Sequence, residues 1–244
     1  IIPGMPGLSD SYLELAESLP TDGPVYGLQM KGFVQGTPAE TVEEMAAHNI
    51  ECIRQIQPQG KINLYAHSYG GTVLYEMLRQ LEETPLEVND IVLMDCGKLP
   101  TPPEEEKESP VLNQEMVSRF CKVMLRNAGI DDAETLTEID TILETHSSEQ
   151  WKTAMVALFV RLKVGGDAQF LNQMWEVVEV SLGVKYAYDA PKWNYSIKFI
   201  IAEESKEWLD AQTWDDCYAT VEVVEVPGGH HTMLKKENCQ QWLG

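Results

Sequence analysis

The sequence predicts an α/β fold, a mostly parallel sheet flanked by helices with a helical block inserted between two strands. Three observations predict it. Short apolar runs alternate with amphipathic stretches through the first hundred residues, as in successive βα units. Between residues 111 and 180 the apolar period becomes helical. Strand-like runs then resume at 197–202 and 221–226.

Residues 25–28 read as a short strand following the Gly23-Pro24 turn. Thr37-Pro38-Ala39-Glu40 then opens a helix, with Thr as N-cap, Pro at the first helical position and Glu at the third. Val42, Met45, Ala46, Ile50 and Ile53 give that helix one apolar face, and Pro58 and Gly60 end it. Residues 62–65 read as a strand, 71–81 as a helix and 90–94 as a buried strand. Beyond Asp95, Thr101-Pro102-Pro103 and Glu104-Glu105-Glu106 form a polar linker into the helical block. There Met116, Phe120, Val123 and Met124 make one apolar stripe, and Trp151, Met155, Leu158, Phe159 and Leu162 a second. A helical block placed between two strands of such a sheet reads as a cap over an active site. The expected organisation is one domain over 1–244, with a core of 1–100 and 190–244 and a lid over approximately 101–189.

Composition narrows the function. Hydrophobic residues make up 43% of the 244, enough for a substantial core, and no run is long enough to cross a bilayer. A formal net charge of −21 argues against nucleic acid and anionic membrane as partners. The five cysteines form no C-x-x-C pair and read as reduced thiols of a cytoplasmic protein. No charged-then-apolar leader opens the chain; Ile1-Ile2 running into Pro3-Gly4 reads as the end of a strand, as in a fragment of a longer protein. No H-E-x-x-H or clustered Cys/His spacing indicates a metal.

Chemistry concentrates at Ala66-His67-Ser68-Tyr69-Gly70-Gly71, which follows a strand and opens a helix. Small residues at Ala66 and Gly70 let strand and helix pass closely, and the turn pushes the Ser68 hydroxyl outward in a strained, exposed position. The following helix N-terminus adds positive potential where an oxyanion would form. Ala66 departs from the Gly of G-x-S-x-G by one methyl group. A serine nucleophile needs a base, and the base an orienting acid. Of five histidines, His48 reads as a surface residue and His67 as pointing away from its neighbour Ser68. His146 has no motif around it. Pro227-Gly228-Gly229-His230-His231 lies on a glycine loop after the last strand, where the base belongs when the order is serine, acid, histidine. For the acid, Asp95 after one strand competes with Glu203 or Glu204 after the next.

These segments together resemble the integrated (type I) thioesterase domains that end polyketide synthases, nonribosomal peptide synthetases and animal fatty acid synthases, members of the α/β-hydrolase superfamily. Leu64-Tyr65-Ala66-His67-Ser68-Tyr69-Gly70-Gly71 resembles their nucleophile region, and Val92-Leu93-Met94-Asp95 their acid strand. Trp214 and Val226-Pro227-Gly228-Gly229-His230-His231-Thr232-Met233-Leu234 resemble their histidine region. The resemblance implies a triad of Ser68, Asp95 and His230, since the family places the base three residues before Met233; His231 is then a loop residue. It also implies an oxyanion hole from the N–H groups of Tyr69 and Met5. The implied reaction releases an acyl, polyketide or peptidyl chain from an acyl or peptidyl carrier protein, through an acyl-serine, by hydrolysis or macrocyclisation. The substrate would arrive on the phosphopantetheine arm of that carrier, with no metal or bound cofactor. Rival readings are a stand-alone editing (type II) thioesterase, a carboxylesterase, and a catalytically silent docking module on the same fold.

Overall fold

In a computed structural model, residues 1–33, 36–97, 113–184, 192–207, 209 and 214–243 are described. The linker at 101–106 lies outside them. Four parallel strands, β1 (Gly60–His67), β2 (Leu86–Met94), β3 (Ser196–Ala202) and β4 (Thr220–Val226), stand in that order in one sheet. Ile2 extends the sheet beyond β1 through a parallel bridge to Ala66. On the far side of Ile1 runs the 26–28 segment, which accepts from the Ile1 ammonium at Tyr26 O (2.7 Å) and donates from Leu28 N to Ile1 O (2.9 Å). The segment expected as a strand at 25–28 is therefore extended and paired with Ile1, but too little of it is paired to form a ladder. The chain steps outward from Ile2 to 26–28 and then back across to β1. That reversal is the kind of switch point where parallel sheets open a crevice beyond their strand ends.

Helices α1 (Leu13–Ser18), α2 (Val42–Ile56), α3 (Gly70–Leu81) and α8 (Lys236–Cys239) flank the sheet. Helix α2 starts later than the Thr37 cues predict. Thr41 is its N-cap, accepting from Glu44 N–H at 3.1 Å, while the Glu44 carboxylate accepts from Glu40 N–H at 2.9 Å. The same capping chemistry is written twice in succession, and packing chooses between the copies. Ala39 is buried in the core and Pro38 lies against Gly32, so 37–40 is held out of the helix. On α2, Asn49 joins Val42, Met45, Ala46 and Ile50 on the buried face, with Ile53 half-buried.

The helical block consists of α4 (Gln114–Asn127), α5 (Ala133–Thr145), α6 (Ser148–Leu162) and α7 (Ala168–Val184), all between β2 and β3. The buried line of α4 is Val117, Cys121 and Leu125, at i, i+4 and i+8. The stripe expected there, Met116, Phe120, Val123 and Met124, is half-buried beside it. Both sets have helical spacing, and periodicity alone does not distinguish the centre of an apolar face from its flank. On α6, Met155, Leu158 and Phe159 are buried as expected, with Trp151 and Leu162 at the margin. The block has a core of its own. Met5 and Met30 touch both that core and the one between the sheet, α2 and α3, so the loop after Ile2 joins the two units. Gln173 on α7 adds a polar tie, its Nε2 donating to Gly32 O and, at 3.1 Å, to Phe33 O. Among the described residues no helix is long and apolar enough to cross a membrane.

A cavity of about 930 Å³ lies at the Ile1 edge of the sheet, between the 23–32 segment, α2 and the first half of β1. None of Ser68, Asp95 and His230 lines it.

At Gly70 the start of α3 lies directly against the backbone of Ile2 and Pro3. A Cβ there would sit 2.6 Å from Ile2 O and 2.7 Å from Pro3 O, both backbone atoms that cannot swing aside. Gly70→Ala is expected to destabilise the fold by about 1–3 kcal/mol, read as a lower urea midpoint. An unchanged midpoint would mean that the Ile2–Pro3 backbone is not held against α3 as described.

Candidate active site

Ser68 and Asp95 each follow the last residue of a strand, and each continues the sheet's hydrogen bonding one residue further. Ser68 N–H donates to Met94 O at 3.0 Å, and Asp95 N–H to Ile200 O at 2.9 Å. Both then turn through left-handed backbone conformations, φ 54° at Ser68 and 48° at Asp95. Such conformations disfavour side chains and are kept where the surroundings over-determine them. Lys163, a helix C-cap, is the third non-glycine with positive φ among the described residues.

The His230 loop is shaped by Gly228 at φ 88° and by Thr232, whose Oγ1 accepts from Gly229 N–H at 2.8 Å. Glu204 N–H ties the loop to the end of β3 by donating to Gly228 O at 3.1 Å. The three side chains meet in line. His230 Nε2 lies 2.9 Å from Ser68 Oγ, and His230 Nδ1 lies 3.1 Å from Asp95 Oδ2. A carboxylate only accepts, so Nδ1 carries the proton and Nε2 is left to accept from the Ser68 hydroxyl. Asp95 is 1% exposed, and its other contacts fix its orientation. Ala202 N–H donates to Oδ1 at 2.8 Å and the buried Ser205 hydroxyl donates to Oδ2. Trp214 Nε1–H holds the next carbonyl along, Cys96 O, at 2.6 Å.

Of the two glutamates that competed with Asp95, Glu204 places its carboxylate against Gly229, beside His230. Glu203 and Glu204 are exposed, and Asp95 is the carboxylate that His230 reaches. Tyr69 caps α3, and the Met5 loop is closed by Gly7 N–H donating to Gly4 O at 2.7 Å. That loop passes directly over the serine, since a Cβ on Gly4 would lie 2.6 Å from Ser68 Cβ. His48 is half-buried on α2 and His146 exposed at the end of α5; neither joins the cluster.

Ser205, Tyr12 and His67 were not singled out by the sequence for this site. His67 makes no hydrogen bond to Ser68. Its buried ring stacks on His230 with centroids 4.5 Å apart, and Nε2 lies 2.8 Å from His230 O. His231 completes a three-imidazole cluster, 4.8 Å from His230 and 5.7 Å from His67. Burial, and then the neighbouring imidazoles, hold His67 well below the usual histidine range. The same causes bring His231 down to about 4. The signal for His67 was its place inside the motif; nothing local marked Ser205 or Tyr12.

A serine hydroxyl, an imidazole acceptor and a buried carboxylate in series form an arrangement suited to acyl transfer through a covalent serine ester. A parallel sheet flanked by helices, carrying this line at its C-terminal edge, is the α/β-hydrolase fold. The chain superposes on a four-domain nonribosomal peptide synthetase, holo-AB3403, with TM-score 0.78 at 21% identity, covering 99% of this chain and 19% of that one. It superposes on the NocB thioesterase domain, in covalent complex with a fluorophosphonate nocardicin G analog, with TM-score 0.63 at 19% identity, covering 99% and 89%. In sequence it is 29% identical over 200 residues to the indigoidine synthase of Dickeya dadantii (strain 3937), covering 76% of this chain and 12% of that synthase. The chain thus spans only a small part of the curated relatives it matches. The thioesterase domain family model matches residues 1–243, and the chain belongs to that family.

The unfolded chain takes up protons at His67 and His231 below about pH 6.5, whereas the folded chain keeps both neutral. Stability is therefore complete above that pH and falls as pH drops. The slope is up to about 1.4 kcal/mol per pH unit for each imidazole, and His231 contributes until its own value near 4 is reached. Urea unfolding of His231→Asn beside the parent, between about pH 7 and pH 5, should show a flatter loss in the variant. Equal slopes would show that His231 titrates normally in the folded protein. Ser205→Ala removes a donor from a buried carboxylate and is expected to cost about 1–3 kcal/mol, read in the same unfolding experiment; no loss would count against the Ser205–Asp95 bond.

Proposed function

We propose that this chain is the chain-releasing thioesterase of a polyketide or nonribosomal peptide assembly line. In this reading it accepts an acyl or peptidyl group from the phosphopantetheine arm of an upstream carrier protein. The observation that carries the reading is the unbroken line from Ser68 Oγ through His230 to Asp95, in a chain of the thioesterase family. The position of Asp95 directly after β2 supports the integrated type over the free-standing editing type.

His230 Nε2 takes the Ser68 proton as Oγ attacks the thioester carbonyl carbon. The imidazolium is stabilised by Asp95 and gives that proton to the departing sulfur as the C–S bond breaks, leaving a free thiol and an acyl-Ser68 ester. Water, or a hydroxyl or amine of the bound chain, then attacks the ester; His230 takes its proton and returns it to Ser68 Oγ. The N–H groups of Met5 and Tyr69 serve as oxyanion donors, each worth about 3 kcal/mol in the transition state. The passage of the Met5 loop over Ser68 supports the first, and the position of Tyr69 at the head of α3 supports the second. The helical block serves as the lid, a role supported by its packing onto Met5 and Met30.

An acyl-N-acetylcysteamine thioester incubated with the protein tests this by intact mass and thiol release. The parent should gain one acyl group or release thiol, while Ser68→Ala should do neither. Asp95→Asn is expected to lower turnover by about 10⁴-fold. The product separates the two fates, since the ring is lighter than the free acid by one water. Fluorophosphonate labelling at Ser68 without thioester turnover would favour a carboxylesterase. No labelling of a folded protein would favour a silent docking module.

A further inference from the structure

We infer that Tyr12 and His67 are positioning residues that lock the oxyanion loop to the backbone of the catalytic base. This rests on the roles proposed above for His230 and for the Met5 loop. Three hydrogen bonds run in series through the protein. Gly4 N–H donates to Tyr12 Oη at 2.7 Å; Tyr12 Oη lies 3.0 Å from His67 Nδ1; and His67 Nε2 lies 2.8 Å from His230 O. Each element comes from a different part of the chain: the loop after Ile2, the turn entering α1, the end of β1, and the loop after β4.

The donor and acceptor roles follow from chemistry. The His230 carbonyl only accepts, so His67 Nε2 carries the proton. Burial keeps the His67 imidazole neutral, so Nδ1 is bare and accepts from the Tyr12 hydroxyl. Tyr12 Oη, having given its proton, accepts from Gly4 N–H. Every polar atom in the series is thereby used, in a region where Tyr12 is 4% and His67 1% exposed. The ring planes reinforce the path, with Tyr12 edge-on to His67 at 5.7 Å and His67 stacked on His230.

The residue after Gly4 is Met5, whose N–H is the proposed oxyanion donor. His230 is therefore held at two points, its side chain by Asp95 and its carbonyl by His67. The second hold is also a direct link to the loop that must meet the oxyanion. The series sets the distance between proton acceptor and oxyanion donor, a separation that matters in the transition state more than in substrate binding.

Tyr12→Phe removes only the hydroxyl, and His67→Gln keeps a donor near the Nε2 position while losing the acceptor at Nδ1. Tyr12→Phe thereby loses the first two bonds of the series and His67→Gln the middle one, so the middle bond is lost in both. Turnover of an acyl-N-acetylcysteamine thioester would be measured per fluorophosphonate-titrated site, with near-ultraviolet circular dichroism as the check on folding. The expected result is a kcat about tenfold lower in each variant, with KM within about twofold. The double variant should be no slower than the slower single one, because a broken series cannot be broken twice. Unchanged kcat per titrated site in a folded Tyr12→Phe protein would overturn the inference, and so would effects of the two substitutions that multiply. Should His67→Gln not fold, Tyr12→Phe alone decides through its kcat and KM. A parent protein that neither labels nor turns over would instead count against the proposed function, which keeps the two failures distinct.

Discussion

The C-terminal edge of the parallel sheet is the constraint on which the site depends. Two backbone bonds, Ser68 N–H to Met94 O and Asp95 N–H to Ile200 O, carry the ladder one residue beyond its regular strands. They fix where the chain leaves the sheet, and the left-handed turns at those two residues set how it leaves. Helix α3 can then begin at once behind Ser68, with Gly70 against the Ile2 and Pro3 carbonyls. The Asp95 carboxylate meets Ala202 N–H and Ser205 because β3 is its neighbour. Parallel strands bring all these chain exits to the same side, so residues from three separate loops reach one point without long connections.

Electrostatics at that point is controlled by burial more than by ion pairs. Three imidazoles lie in contact, and more than one positive charge among them would be strongly opposed. His67 and His231 are kept neutral by desolvation. Among the three, His230 is the one whose ring nitrogen is hydrogen-bonded to the Asp95 carboxylate. Neutral His67 is the form that can both donate to His230 O and accept from Tyr12.

The helical block is a second packing unit with its own core, attached through Met5, Met30 and the Gln173 contacts to the loops around Gly32. Its apolar stripes are spent mainly on packing its own helices, since Val117, Cys121, Leu125, Met155, Leu158 and Phe159 are all buried there. Its contact with Met5 lies next to Gly4 and the Tyr12–His67 series.

Local order was legible where a few neighbouring residues decide it. The strand, turn and helix around Ser68, the glycine loop before His230, and the apolar runs of β2, β3 and β4 all follow from short-range backbone preference and period. Legibility failed where two local solutions were equal. Thr37 and Thr41 both cap well, and only the burial of Ala39 separates them; two helical stripes on α4 were possible, and only the neighbouring helices selected Val117, Cys121 and Leu125. The sequence by itself determined the strand, turn and helix around Ser68 and the glycine loop before His230, because the geometry of each is built within five or six residues. Residue chemistry left Asp95, Glu203 and Glu204 open, and the family resemblance implied Asp95. The tertiary structure is what brings Asp95 to His230, and what brings Ser205 to Asp95, His67 to the His230 carbonyl and Tyr12 to His67. Those contacts span tens to more than a hundred residues of chain and depend on which strand lies beside which. No local preference records that adjacency; packing of the whole sheet creates it.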